Sequence, residues 1–147
     1  MLETFIAWSV PALLASVLHE AAHALVAWRL GDDTACRAGR LSLNPARHVD
    51  ALATLALSAL VSVLVAPMLW LWLKPVPFDP AKLTGLRLSC FALAGPAANA
   101  VMLTAWVVSG PSEMAVAGAT INLVFMLVNM LPVPPLDGWR AMQGLKS

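Results

Sequence analysis

His19 and His23 stand four residues apart with Glu20 between them, in the pentad His19-Glu20-Ala21-Ala22-His23. On a helix of 3.6 residues per turn, positions four apart share one face, so two imidazoles can reach a single metal ion. Glu20 then stands beside that ion as a base rather than as a ligand, the arrangement that metal-assisted hydrolysis requires. A hydrolytic zinc site takes three protein ligands and keeps its fourth position for water. Outside the first apolar stretch the natural third candidate is Asp137, in Pro132-Val133-Pro134-Pro135-Leu136-Asp137-Gly138. Backbone so rich in proline cannot stay helical, and irregular backbone at membrane depth is tolerated only when protein buries it or it lines a polar cavity. A competing reading pairs a histidine with the glutamate, or sets these groups along a cavity. Ionisable groups at the centre of an apolar helix cost about 3 kcal/mol each, so three within five residues require a compensating partner.

The elements that position these groups are apolar. The chain of 147 residues is 60% hydrophobic and 12% charged, with a mean hydropathy of +0.79. Soluble domains are roughly half apolar and a quarter charged, so this composition implies a membrane protein. The length suits a single domain over 1–147. Four apolar stretches occupy 4–30, 51–73, 87–109 and 114–131, each near or above the ~20 residues that cross a hydrocarbon core. Between the first two, the polar segment 31–50 reads as a small β-hairpin near the membrane surface. Lys74-Pro75-Val76-Pro77-Phe78-Asp79-Pro80 is expected to run extended, and Ser109-Gly110-Pro111-Ser112 to join the last two stretches as a helical hairpin.

A net charge of +1 gives no case for nucleic acid as a partner. Cys36 and Cys90 form neither a disulfide framework nor a thiolate metal site, and read as packing residues. The N-terminus lacks the positive region of a signal peptide, so the first stretch reads as retained. Trp8, Trp28, Trp70, Trp72 and Trp139 lie near segment ends, which suits interfacial anchoring. Asn99 and Asn129 are polar groups in apolar stretches, and taken alone interhelical hydrogen bonding accounts for them better than contact with a substrate. His48 is a possible ligand whose plainer reading is a loop anchor.

Taken in order, five motifs resemble the site-2 protease family of intramembrane zinc metalloproteases, in its short form without PDZ or CBS domains. They are the His19 to His23 pentad; Arg40-Leu41-Ser42-Leu43-Asn44-Pro45-Ala46-Arg47-His48; Lys74-Pro75-Val76-Pro77; Ala94-Gly95-Pro96-Ala97-Ala98-Asn99; and Asn129-Met130-Leu131 running into the proline-rich segment that ends at Asp137-Gly138. The resemblance implies one zinc ion on His19, His23 and Asp137, with Glu20 as catalytic base. It places Asn99 and Asn129 near the substrate or in the structure of the cleft. Many relatives continue with further apolar segments beyond the Asp-Gly motif, whereas this chain stops at Ser147.

Depth and charge together suggest a topology. Counting back from Arg29 at 1.5 Å per residue, His23 lies about 9 Å and His19 about 15 Å inside. Four crossings would bring Asp137 out on the wrong side. Three crossings put Arg29, Arg37, Arg40, Arg47, Lys74, Lys82, Arg87, Arg140 and Lys146 on one side, nine against none, as the positive-inside rule prefers. The expected fold is therefore an all-α membrane protein: three transmembrane helices, a re-entrant or surface-lying second stretch, and a small β-hairpin after the first helix. The expected activity is hydrolysis of peptide bonds in or near the transmembrane segments of substrate proteins, which the hairpin would hold by strand addition. The expected setting is a lipid bilayer, in a prokaryotic cytoplasmic membrane with the site toward the cytoplasm. Two other classes compete: an inactive membrane-embedded metal-binding protein that captures transmembrane helices, and a metal or proton transporter.

Overall fold

A computed structural model describes residues 2–50, 54 and 74–146, most of them helical. The first apolar stretch folds as α1, Leu2–Arg29, with Glu3 in its first turn and Arg29 in its last. Each charge opposes the helix-dipole end beside it. α1 stops in a Schellman turn: Gly31 N–H donates to the Trp28 carbonyl and Asp32 N–H to the Ala27 carbonyl.

The β-hairpin expected over 31–50 does not form. The described residues contain no strand, only an isolated bridge at Val49, so the edge expected to hold a substrate is absent as well. Short polar side chains divert the backbone into local turns instead. Asp32 Oδ1 accepts from the Thr34 N–H and hydroxyl, starting the single turn α2, Thr34–Arg37. Asn44 Oδ1 accepts from Ala46 N–H at 3.0 Å, and Pro45 opens a 3-10 turn, Pro45–Arg47.

The third and fourth stretches form α3, Leu86–Val108, and α4, Glu113–Asn129, joined by the expected tight turn. Ser112 caps α4, its hydroxyl accepting from Ala115 N–H at 3.1 Å. After the proline-rich segment comes α5, Asp137–Lys146, an element the sequence reading did not foresee. At 1.5 Å per residue the 28 residues of α1 and 23 of α3 exceed the ~30 Å hydrocarbon core, whereas the 17 of α4 reach only about 26 Å. The described residues thus hold two helices of spanning length, not three. The second apolar stretch, expected to re-enter or lie on the surface, falls outside the described residues apart from Thr54.

α1 packs on both α3 and α4, and α5 lies along α3. Contacts of Ala15 with Asn99 and of His23 with Phe91 make α1 and α3 antiparallel. Ala15, Ala24, Ala27, Ala92 and Ala117 are fully buried, while Leu86, Val101, Val107, Val108 and Leu127 point outward. Small residues inside and large apolar ones outside is how helices pack in lipid, where backbones approach closely and the outer face meets acyl chains. Cys36 and Cys90 are both exposed, so neither packs as expected. Trp28 is exposed at the end of α1, Trp8 packs inward near Ala12 and Ala15, and Trp70 and Trp72 lie outside the described residues.

The extended segment 74–79 is seated on α1 and α3 by Val76, which joins Ala24, Ala27 and Phe91 in one apolar cluster. Its far end is tied by the buried Asp32, whose Oδ2 accepts from Asp79 N–H at 2.7 Å. Burial alone would raise the Asp32 carboxyl pKa, but the hydrogen bonds from Thr34 and Asp79 and the nearby Lys82 outweigh it and hold the group below its usual range. A depressed folded-state pKa contributes stability that is present above the unfolded value, about 3.9, and lost as pH falls through the folded one. Asp32→Asn should therefore lower the melting temperature of the metal-free protein at neutral pH, by an amount equivalent to about 1–3 kcal/mol for the unsatisfied N–H. It should also flatten the fall in stability below about pH 4, which melting in detergent across that range would check.

Candidate metal centre

His19 and His23 lie on the inward face of α1, each 3% exposed, and Asp137 opens α5 at equal burial. The proline-rich segment reverses the chain between α4 and α5, and Gly138 lets the turn close. A Cβ there would lie 2.8 Å from the Leu131 carbonyl oxygen and nearer still to the Met130 carbonyl. Asp137 Oδ2 consequently reaches 3.1 Å from His19 Nε2 and 3.2 Å from His23 Nε2, while the two Nε2 atoms stand 3.1 Å apart.

Proton positions follow from the outer partners. His23 Nδ1 lies 2.7 Å from the Phe91 carbonyl oxygen, which can only accept, so Nδ1 carries the hydrogen. His19 Nδ1 lies 2.6 Å from Asn99 Oδ1. Asn99 is turned that way because its Nδ2 donates to Asn122 Oδ1 at 2.9 Å and to the Ala15 carbonyl at 3.4 Å. Both rings thus hold their hydrogen on Nδ1 and direct an Nε2 lone pair at a carboxylate oxygen. Three electron-rich atoms face one another in a buried space, an arrangement that a shared proton or a metal ion stabilises.

The residues fit a metal ion. Tetrahedral zinc with bonds of about 2.0–2.1 Å separates its ligand atoms by roughly 3.3 Å, close to the distances seen here. α3 leaves the room: Phe91, Gly95 and Asn99 recur every four residues and share the face turned to the histidines. A Cβ on Gly95 would lie 2.5 Å from His19 Nε2 and nearer to His23 Nε2.

A cavity of about 370 Å³ opens beside the cluster, with Glu20, Val76, Asn129 and Arg140 on its wall. Arg140 donates to Asp137 Oδ1 at 3.3 Å, which leaves Oδ2 for the histidines. The structure therefore brings together His19, His23 and Asp137, with Glu20 and Asn129 on the same cavity. Asn99 stands behind His19 and is absent from the cavity lining. His48 is elsewhere: its buried Nε2 donates to the Ser42 carbonyl at 2.6 Å and anchors the 42–48 loop. Sequence reasoning missed Asn122, Arg140 and the Phe91 carbonyl, and took Gly95 only as part of a motif, without its contact with the histidines. The four-residue spacing of 91, 95 and 99, and the position of Arg140 three residues after Asp137, were the available signals.

The chain is similar to named proteins of three bacterial species, among others. It is 35% identical to "Putative zinc metalloprotease YwhC" of Bacillus subtilis, over 90% of this chain and 66% of that protein. It is 31% identical to "Putative zinc metalloprotease Rip2" of Mycobacterium tuberculosis, and 30% to the protein of that name in Mycolicibacterium smegmatis, each over 89% of this chain. The chain spans 54% of the length of either mycobacterial protein. No family model and no solved structure matches it.

Proposed function

The chain belongs to the site-2 protease family of zinc metalloproteases, and from that membership we propose that it hydrolyses peptide bonds in or near the membrane-spanning segments of other proteins. The observation that carries this reading is the convergence of two imidazole lone pairs and a carboxylate within 3.2 Å, with Glu20 on the wall of the same cavity. In this reading His19, His23 and Asp137 hold one zinc ion, which when bound acidifies a water and polarises the peptide carbonyl. Glu20 takes the proton of the attacking water on its carboxylate and returns it to the leaving nitrogen. Arg140 keeps Asp137 from turning away, and Asn129 offers its amide to a peptide entering the cavity.

A site within the membrane is supported by the placement of both histidines inside the span of α1, and by the outward apolar faces of α3 and α4. Arg29 closes α1 and Arg87 lies in the first turn of α3 at one end of the bundle, while Glu3 and Glu113 occupy the opposite end. The positive-inside rule then turns the cavity toward the cytoplasm. A helical substrate must unwind before its carbonyls are accessible, so targets with helix-weakening residues are expected to be preferred. Purified, zinc-loaded protein should cleave members of a panel of membrane-spanning peptides, and a chelator should stop it. Intact peptides after incubation with the loaded protein would contradict the reading.

A further inference from the structure

Asn122 is fully buried in α4, and its side-chain partners are Gly118 and Asn99. We infer that Asn122 is a positioning residue, which selects the tautomer of His19 able to bind a metal. The inference rests on the zinc reading above and goes beyond it, because Asn122 acts from a third helix through a second asparagine.

The argument starts at a backbone carbonyl. Gly118 O can only accept, so the Asn122 atom 2.8 Å from it is Nδ2. Oδ1 of Asn122 is thereby aimed at Asn99, and only an N–H satisfies it at 2.9 Å. Asn99 must then turn Nδ2 toward α4 and Oδ1 toward His19, where an acceptor at 2.6 Å requires the hydrogen on Nδ1. The reverse setting of the Asn99 amide would present an N–H to His19 Nδ1 and move the ring hydrogen to Nε2. That hydrogen would occupy the direction from which His19 faces Asp137. The only other hold on Asn99 Nδ2 is the Ala15 carbonyl at 3.4 Å, a longer contact among the described residues. Docking of α4 on α3 therefore completes a ligand on α1.

The test is zinc affinity of the purified full chain in detergent, read by competition with a chelating dye and without substrate. Asn122→Leu should weaken zinc binding about tenfold or more, as loss of an outer-shell partner does. Asn122→Asp should recover most of the affinity, because a protonated carboxyl donates to Gly118 O and still accepts from Asn99. An ionised aspartate at 99 only accepts, so the ring N–H of His19 meets an acceptor whichever way the group turns, and in an Asn99→Asp background Asn122→Leu should cost little. Equal losses in the two backgrounds, or equal losses for Leu and Asp at 122, would overturn the inference and leave Asn122 a packing residue. Metal-free melting of each variant separates folding from binding, and Asn122→Ala repeats the comparison if the leucine variant does not fold. Failure of this cycle leaves the protease reading standing. Uncleaved peptides with the affinities intact overturn that reading alone, and no zinc binding by the unsubstituted chain overturns both.

Discussion

Replacing Glu20 with Gln should abolish peptide cleavage while zinc stays bound at full stoichiometry. Gln has the volume and nearly the shape of Glu, so the cavity beside His19, His23 and Asp137 keeps its form. What it lacks is a carboxylate to accept a proton. A positioned general base contributes roughly 10²- to 10⁴-fold, so kcat on a membrane-spanning peptide should fall by that order. Metal content measured on the same preparation separates this loss from loss of the ion. Turnover undiminished by the substitution would remove Glu20 from the chemistry.

Gly95→Ala should act in the opposite sense, removing the metal and with it the activity. One added methyl would stand 2.5 Å from the His19 Cε1 and Nε2 atoms, a separation that real Cβ atoms essentially never show. The rings are gripped from behind by Asn99 and Phe91, so they cannot retreat without breaking those hydrogen bonds. Either response carries an Nε2 away from Asp137, and zinc affinity should fall by about 100-fold, at the upper end of outer-shell effects. Alanine is the better helix former by about 1 kcal/mol, so α3 itself should not be weakened. Zinc titration of the variant decides it, and unchanged affinity would show that α3 does not bound the metal space.

Much of this was legible along the chain and some of it was not. The spacing of His19 and His23 on an apolar run fixed both the helix and the face they share. The prolines before Asp137 indicated where a distant carboxylate enters. Gly95 and Asn99 stood out as a motif, but what each touches depends on the crossing of α1 and α3, which no local pattern encodes. Asn122 was missed for the same reason, since its role appears only when α4 docks. The hairpin was misread because Asp32 and Asn44 satisfy nearby N–H groups locally, leaving the backbone no reason to pair as strands. α4 starts at Glu113 behind its Ser112 cap, but it ends at Asn129, short of Leu131 and Pro132, so the helix stops before the apolar run does. α5 is ten residues long, too short to form on its own, and owes its helix to packing on α3, where Ser89 donates to the Ala141 carbonyl at 2.8 Å.

X-ray absorption at the zinc edge, on the purified full chain, addresses the three converging ligand atoms most directly. The expected spectrum has one zinc per chain with imidazole nitrogen and carboxylate oxygen at about 2.0–2.1 Å, and it loses imidazole scattering in His19→Ala or His23→Ala. A chain that binds no zinc, or zinc with sulfur at about 2.3 Å from Cys36 or Cys90, would contradict the assignment of His19, His23 and Asp137.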